Sequence, residues 1–183
     1  RWGYFPSAAA AWRISSEPFM KSTSKWLDDL KLRFSYGTAG NNNIPSGQLV
    51  QVYENNTTSW INGISNYWAP STYMSNPDLK WEKNKAFNLG FDLQFINRIT
   101  VTFDYYTRKT SDLIYDLPVS AIPGYYDGST YKPTAPQNIG SLENKGFELT
   151  VQSINFKTKD FDWTTTLNMG HNSNKVSKLN GTD

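Results

Sequence analysis

Between Lys85 and Ile96 the side chains change character at every step. Phe87, Leu89, Phe91, Leu93 and Phe95 fall on one side, and Asn88, Gly90, Asp92 and Gln94 on the other. A helix would scatter the five apolar residues around its circumference, whereas an extended strand lines them up on one face. The pattern resumes after Asn97-Arg98, which reads as a tight turn. There Ile99, Val101, Phe103 and Tyr105 oppose Thr100, Thr102, Asp104, Tyr106 and Arg108. Two such runs joined by two residues predict a hairpin.

Four further segments alternate in the same way. Phe147, Leu149 and Val151 oppose Glu148, Thr150 and Gln152, and Trp163, Thr165, Leu167 and Met169 oppose Asp162, Thr164, Thr166 and Asn168. Leu30, Leu32, Phe34 and Tyr36 oppose Lys31, Arg33, Ser35 and Gly37. Ala8, Ala10, Trp12 and Ile14 oppose Ser7, Ala9, Ala11 and Arg13. The prediction is an all-β chain of six long strands. Short connections are expected at about 15–26, 97–98 and 155–160. The first holds Ser16-Glu17-Pro18-Phe19, which predicts a helical turn capped by Ser15 or Ser16 with Pro18 in its first turn. Long connections are expected at about 41–84, with an extended stretch or short strand at Gln48 to Tyr53, and at 111–140, which holds Pro118, Pro123, Pro133 and Pro136. Short and long connections alternate strictly, so all the long ones emerge at one edge of the sheet.

Composition excludes several functions. Aromatic residues make up 15% of the 183, and Asn, Ser and Thr number 18, 18 and 17, a ring content that disordered chains lack. Zero Cys and the single His171 rule out disulfides, thiol catalysis and a multi-histidine zinc site. No HExxH, P-loop or GxSxG motif is present, and nothing singles out a catalytic carboxylate pair. Neither enzyme activity nor a metal nor a cofactor is expected. A net charge of +2 is too balanced for a nucleic-acid surface. The longest apolar run, Ala8 to Trp12, is far too short for a membrane helix. A start at Arg1 without Met predicts a processed chain or a fragment.

Two architectures suit such strands. One is a soluble β-sandwich, as in a carbohydrate-binding module or a structural surface protein, with the polar faces in solvent. The other is part of a transmembrane β-barrel, whose strands need ~9–11 residues of dyad alternation with short turns on one side and long loops on the other. In the barrel, Asp92, Gln94, Asp104, Arg108 and Glu148 face the lumen, either lining a path or as ordinary polar filling. Asp104 and Arg108, on one face, are placed to meet. Trp60, Tyr67, Trp68 and Tyr73 in the first long loop and Tyr125, Tyr126 and Tyr131 in the second suit stacking on sugars or packing on a partner. Asp127-Gly128-Ser129 reads as a turn rather than a calcium cage. Gly37, Gly40, Gly90, Gly140, Gly146 and Gly170 let strands bend or another backbone approach. His171 reads as a hydrogen-bonding side chain.

A family resemblance bears on the choice. Arg1-Trp2-Gly3-Tyr4-Phe5-Pro6-Ser7, Ala11-Trp12-Arg13-Ile14-Ser15 and Trp26-Leu27-Asp28-Asp29-Leu30-Lys31-Leu32-Arg33, leading into Ser35 to Asn42, resemble the barrel of SusC/RagA-type TonB-dependent transporters of Bacteroidetes outer membranes. So do Asn76-Pro77-Asp78-Leu79-Lys80-Trp81-Glu82, Asn88-Leu89-Gly90-Phe91-Asp92 and Asp104 to Asp112. Asn138-Ile139-Gly140, Asn144-Lys145-Gly146-Phe147-Glu148 and Asn172-Ser173-Asn174-Lys175-Val176 complete the set. Each match is weak alone, but together they run through nearly the whole chain in the family's order.

The resemblance implies about six strands of a 22-stranded antiparallel transmembrane β-barrel in a bacterial outer membrane, with the plug domain absent from this chain. It implies long loops outside the cell and short connections in the periplasm. It further implies import of a large nutrient, a glycan or a peptide, with a SusD-like surface lipoprotein at the mouth. TonB would act through parts this chain does not contain. The plug, the remaining strands and outer-membrane lipid would be its other neighbours.

Overall fold

The computed structural model describes residues 2–44, 48–56, 67–70, 74–118 and 134–179; of 54–56 and 67–70 only the backbone is described. Among the described residues ten strands run in chain order: β1 (Ser7–Arg13), β2 (Leu27–Asn41), β3 (Tyr53–Asn56), β4 (Tyr67–Pro70), β5 (Glu82–Phe95), β6 (Ile99–Ser111), β7 (Ile114–Pro118), β8 (Thr134–Asn138), β9 (Ser141–Lys157) and β10 (Asp162–Lys178). The six long strands form one sheet in the order β1-β2-β5-β6-β9-β10, so each is the neighbour of the one before it. β3 pairs with β4, and β7 with β8, as separate two-stranded ribbons. The chain divides into two compact units. One comprises Arg1–Ala39, Asn84–Thr110 and Leu142–Val176, and the other Gly40–Lys83, Ser111–Ser141 and Ser177–Asp183.

In the first unit, the β1–β2 register pairs Ala8 with Tyr36, Ala10 with Phe34 and Trp12 with Leu32, while Ala9 faces Ser35 and Ala11 faces Arg33. Residues opposite each other in an antiparallel pair share a face, so the alternation in the sequence becomes one apolar and one polar face. The apolar face continues across the sheet as a row of rings. Phe91 stacks on Phe103 at 5.3 Å, Phe103 on Phe147 at 6.2 Å, and Phe147 meets His171 at 6.0 Å. Such ring pairs contribute about 0.5–1.5 kcal/mol each beyond their buried area. His171 thus ends an aromatic row.

A sandwich would need a second sheet over these rings. Among the described residues the six long strands make a single sheet, and the only buried hydrophobic residues are Leu27, Leu79 and Ala135. In β2 exposure even runs against hydropathy: Leu32, Phe34 and Tyr36 are exposed, and Lys31, Arg33 and Ser35 between them are half-buried. β9 shows the reverse, its polar Glu148, Thr150 and Gln152 being the exposed set.

The connections depart from expectation in detail. Residues 14–26 hold two 3-10 segments, Ile14–Ser16 and Pro18–Thr23, and neither has a side-chain cap. Glu17 occupies the residue before the second segment with φ −78° and ψ 145°, the extended geometry that a following proline imposes. Its carboxylate instead accepts the indole N–H of Trp12 at 2.9 Å. The β9–β10 link is shorter than 155–160: Thr158 N donates to Phe161 O at 2.8 Å, and Asn155, Phe156 and Lys157 belong to β9. The extended stretch near Gln48 forms its strand later, at Tyr53–Asn56.

The β5–β6 corner is also displaced by one residue. Arg98 N donates to Phe95 O at 2.9 Å, and the central residues are Ile96 (φ 49°) and Asn97 (φ 51°). Both lie in the left-handed region required by a type I′ turn, where a β-branched residue is strained. Replacing the pair by Ile96→Asn and Asn97→Gly is expected to stabilise the protein by about 1 kcal/mol. A rise in the midpoint of thermal unfolding checks this; an unchanged or lower midpoint would show that Ile96 is not strained.

In the second unit, Leu79, Ala135 and Pro136 are buried. The Asn138 amide donates to Lys80 O at 2.9 Å and Asp112 O at 2.8 Å, and its oxygen accepts Lys80 N at 2.7 Å. Asn76 Nδ2 donates to Pro136 O at 2.9 Å. Two asparagines therefore tie together the bases of both long connections.

Candidate functional site

The polar face of β2, β5 and β6 carries a charged cluster built on Arg33. Its Nε and Nη2 donate to the two oxygens of Asp92 at 2.9 and 3.1 Å. Nη1 lies 2.9 Å from Asp104 Oδ1, and Nη2 donates to Asp104 Oδ2 at 3.0 Å. One guanidinium thus serves two carboxylates on two successive strands, using the planar fork that lysine lacks. The side chains of Arg33, Asp92 and Asp104 are about one-third exposed, at 34%, 35% and 33%.

Gly90 makes room for the cluster. A Cβ there would lie 2.9 Å from Arg33 Nη2 and 2.9 Å from Phe103 O, and would run into the Asp104 carboxylate. The glycine thus admits both the charged side chains and the close approach of the Phe103 carbonyl on the neighbouring strand. Beside it is a recess of about 380 Å³ lined by Ala9 to Ala11, Arg33, Phe34, Ser35, Asn88, Gly90 and Asp104. Asn88 Nδ2 donates to Ser35 Oγ at 3.1 Å in the same region.

Of the five residues expected on the polar face, Asp92 and Asp104 are brought together. No ion pair or side-chain hydrogen bond joins Asp104 to Arg108 among the described residues; Arg33, arriving from β2, meets both Asp104 oxygens. Arg108 instead lines a second recess of about 290 Å³ with Ala86, Asn88, Tyr106, Thr107 and Asn144. Gln94 lies half-buried near the end of β5, and Glu148 is exposed on β9. Trp60, Tyr73, Tyr125, Tyr126 and Tyr131 lie outside the described residues, as do Asp127, Gly128 and Ser129. Tyr67 and Trp68 belong to β4, but their side chains are outside the description. Arg33 is the residue that sequence reasoning failed to nominate, although its place between Leu32 and Phe34 put it on the polar face.

The chain resembles known proteins in sequence and in fold. Residues 1–182 match the family described as TonB dependent receptor-like, beta-barrel. The chain is 37% identical, over its whole length, to the TonB-dependent receptor SusC of Bacteroides thetaiotaomicron, and it spans 18% of that protein. It is 38% identical over 98% of its length to the TonB-dependent receptor P3 of Formosa agariphila, of which it spans 17%. Its fold superposes on the RagAB peptide importer in the open-open state with a TM-score of 0.78 at 29% identity, covering 97% of this chain and 18% of that one. For the closed-closed state of the same importer the TM-score is 0.76 at 30% identity, over 97% of this chain and 18% of that one. The chain belongs to the SusC/RagA-type TonB-dependent receptor family, whose members are transporters and not enzymes. Its six-stranded sheet is accordingly part of a larger outer-membrane β-barrel.

Proposed function

We propose that this chain forms about six strands of a 22-stranded barrel through which a TonB-dependent receptor imports a large nutrient, a glycan or a peptide. The observation that carries this reading is the two-faced sheet: a row of phenylalanine rings on one side, and the Arg33–Asp92–Asp104 cluster on the other. The rings suit contact with lipid, and the ionic cluster suits a water-filled lumen. The sheet's outer strands, β1 and β10, would pair with the remaining strands of the wall, since lipid tolerates no open edge. The long connections after β2 and β6 would then lie outside the cell and the short ones in the periplasm. A SusD-like lipoprotein, a plug and TonB would complete the machine. The likeness to the RagAB peptide importer supports a peptide as cargo. A glycan fits the aromatic loops.

The chain has no native cysteine, so single labels are simple to place. Spin labels at Leu89, Leu93 and Val101 are expected to collide with oxygen dissolved in lipid, and labels at Gln94 and Thr102 with a water-soluble nickel chelate. Equal wetness of the two sets would overturn the barrel reading.

A further inference from the structure

We propose that the recess around Arg108 is a subsite for a ligand that carries both a carboxylate and a hydrogen-bond donor. The inference deepens the import reading and rests on it. Four observations carry it. With Asp104 held by Arg33, Arg108 makes no ion pair or side-chain hydrogen bond among the described residues, and it is exposed on the polar face. The side-chain oxygen of Asn144, on the neighbouring β9, is buried with no hydrogen-bond partner. Both residues line the recess of about 290 Å³. Gly146 keeps that wall open for Tyr106, because a Cβ there would sit 2.7 Å from the tyrosine hydroxyl.

The chemistry follows from the two polar groups. A guanidinium prefers a planar two-oxygen acceptor, which it grips through parallel N–H donors. A buried, unpaired amide oxygen calls for an N–H or O–H, because leaving it unmet is costly. A ligand with both groups side by side satisfies the pair at once. The C-terminus of a peptide offers a carboxylate next to an amide N–H. An acidic sugar offers a carboxylate next to a ring hydroxyl. Neutral cargo would leave Arg108 unmatched.

The test uses the full-length receptor that contains this chain, purified in detergent. Its equilibrium binding is measured for a tripeptide with a free C-terminus and for its C-terminal amide. The same is done for a disaccharide ending in a hexuronate and for its neutral hexose counterpart. In the unaltered receptor one carboxylate form is expected to bind about tenfold tighter than its neutral partner. Whichever pair shows the difference identifies the source. Arg108→Gln should abolish the preference of the carboxylate form over its neutral partner, and Asn144→Leu should weaken the preferred ligand several-fold. Heat-resistant migration on gels confirms that both variants fold. Equal binding of charged and neutral forms, or a preference that survives Arg108→Gln, overturns the subsite. Uptake of the neutral forms by cells separates the two readings: if it persists, import stands and only the subsite falls.

Discussion

Arg33→Ala should be among the most damaging single substitutions on the polar face, lowering stability by about 1–3 kcal/mol. Removing one partner of a buried charge pair costs about 3–5 kcal/mol, because the other is left uncompensated. Here one cation serves two carboxylates, but all three groups are about one-third exposed, so solvent screens part of the loss. Asp92 and Asp104 would also be left to repel each other. Arg33→Lys should recover only part of the stability, since an ammonium cannot present three nitrogens in one plane. Adding Asp92→Asn and Asp104→Asn to Arg33→Ala should restore much of the loss by removing the stranded charges. Thermal unfolding in detergent measures all of these. A triple variant as unstable as Arg33→Ala alone would mean that the arginine acts through packing rather than charge.

The second large effect is expected at Gly146. A methyl group there would meet Tyr106 Oη at 2.7 Å and Cζ at 2.8 Å, and would press on the carbonyl oxygen of His171 in the adjoining strand. The tyrosine can swing away, but the carbonyl belongs to the β9–β10 ladder and yields only if the pairing is distorted. Gly146→Ala should therefore cost about 1–3 kcal/mol, in the range of overpacked sites. Gly170 in β10 and Gly37 in β2 serve as controls. Their nearest neighbours would lie 3.7 Å and 3.4 Å from an added Cβ, ordinary or nearly ordinary contact. Alanine at either should leave the unfolding midpoint almost unchanged. Equal tolerance at all three glycines would refute the close approach at Gly146.

The strands were legible because a single face had to be apolar, and period two writes that requirement directly into the chain. Phe87 to Phe95 and Phe103 with Phe147 needed no knowledge of their partners to be assigned to one side. The Arg33 cluster was not legible in the same way. It depends on the register between β2 and β5, strands separated by a long connection, and a local pattern does not specify which residues across such a gap stand together. Asp104 was therefore matched to the nearest arginine along its own strand, while the true partner came from elsewhere in the sequence. The corner at Ile96-Asn97 was missed by one position, because isoleucine is a poor candidate for a left-handed backbone. Ser15 and Ser16 looked like caps, yet Pro18 fixed the residue before it as extended and the hydroxyls were passed over. The unpaired oxygen of Asn144 leaves no trace in a sequence, being a property of what surrounds it.

Because every long strand pairs with the one preceding it, the two large excursions between strands leave the order of the sheet unchanged. The entropic penalty for closing a flexible excursion grows by only about 0.6 kcal/mol for each doubling of its length. Asn138 and Asn76 pin both excursions at their roots, so what lies beyond those roots can lengthen, shrink or be exchanged at small thermodynamic expense. A lineage or an engineer could thus exchange these segments while the six long strands keep their pairing.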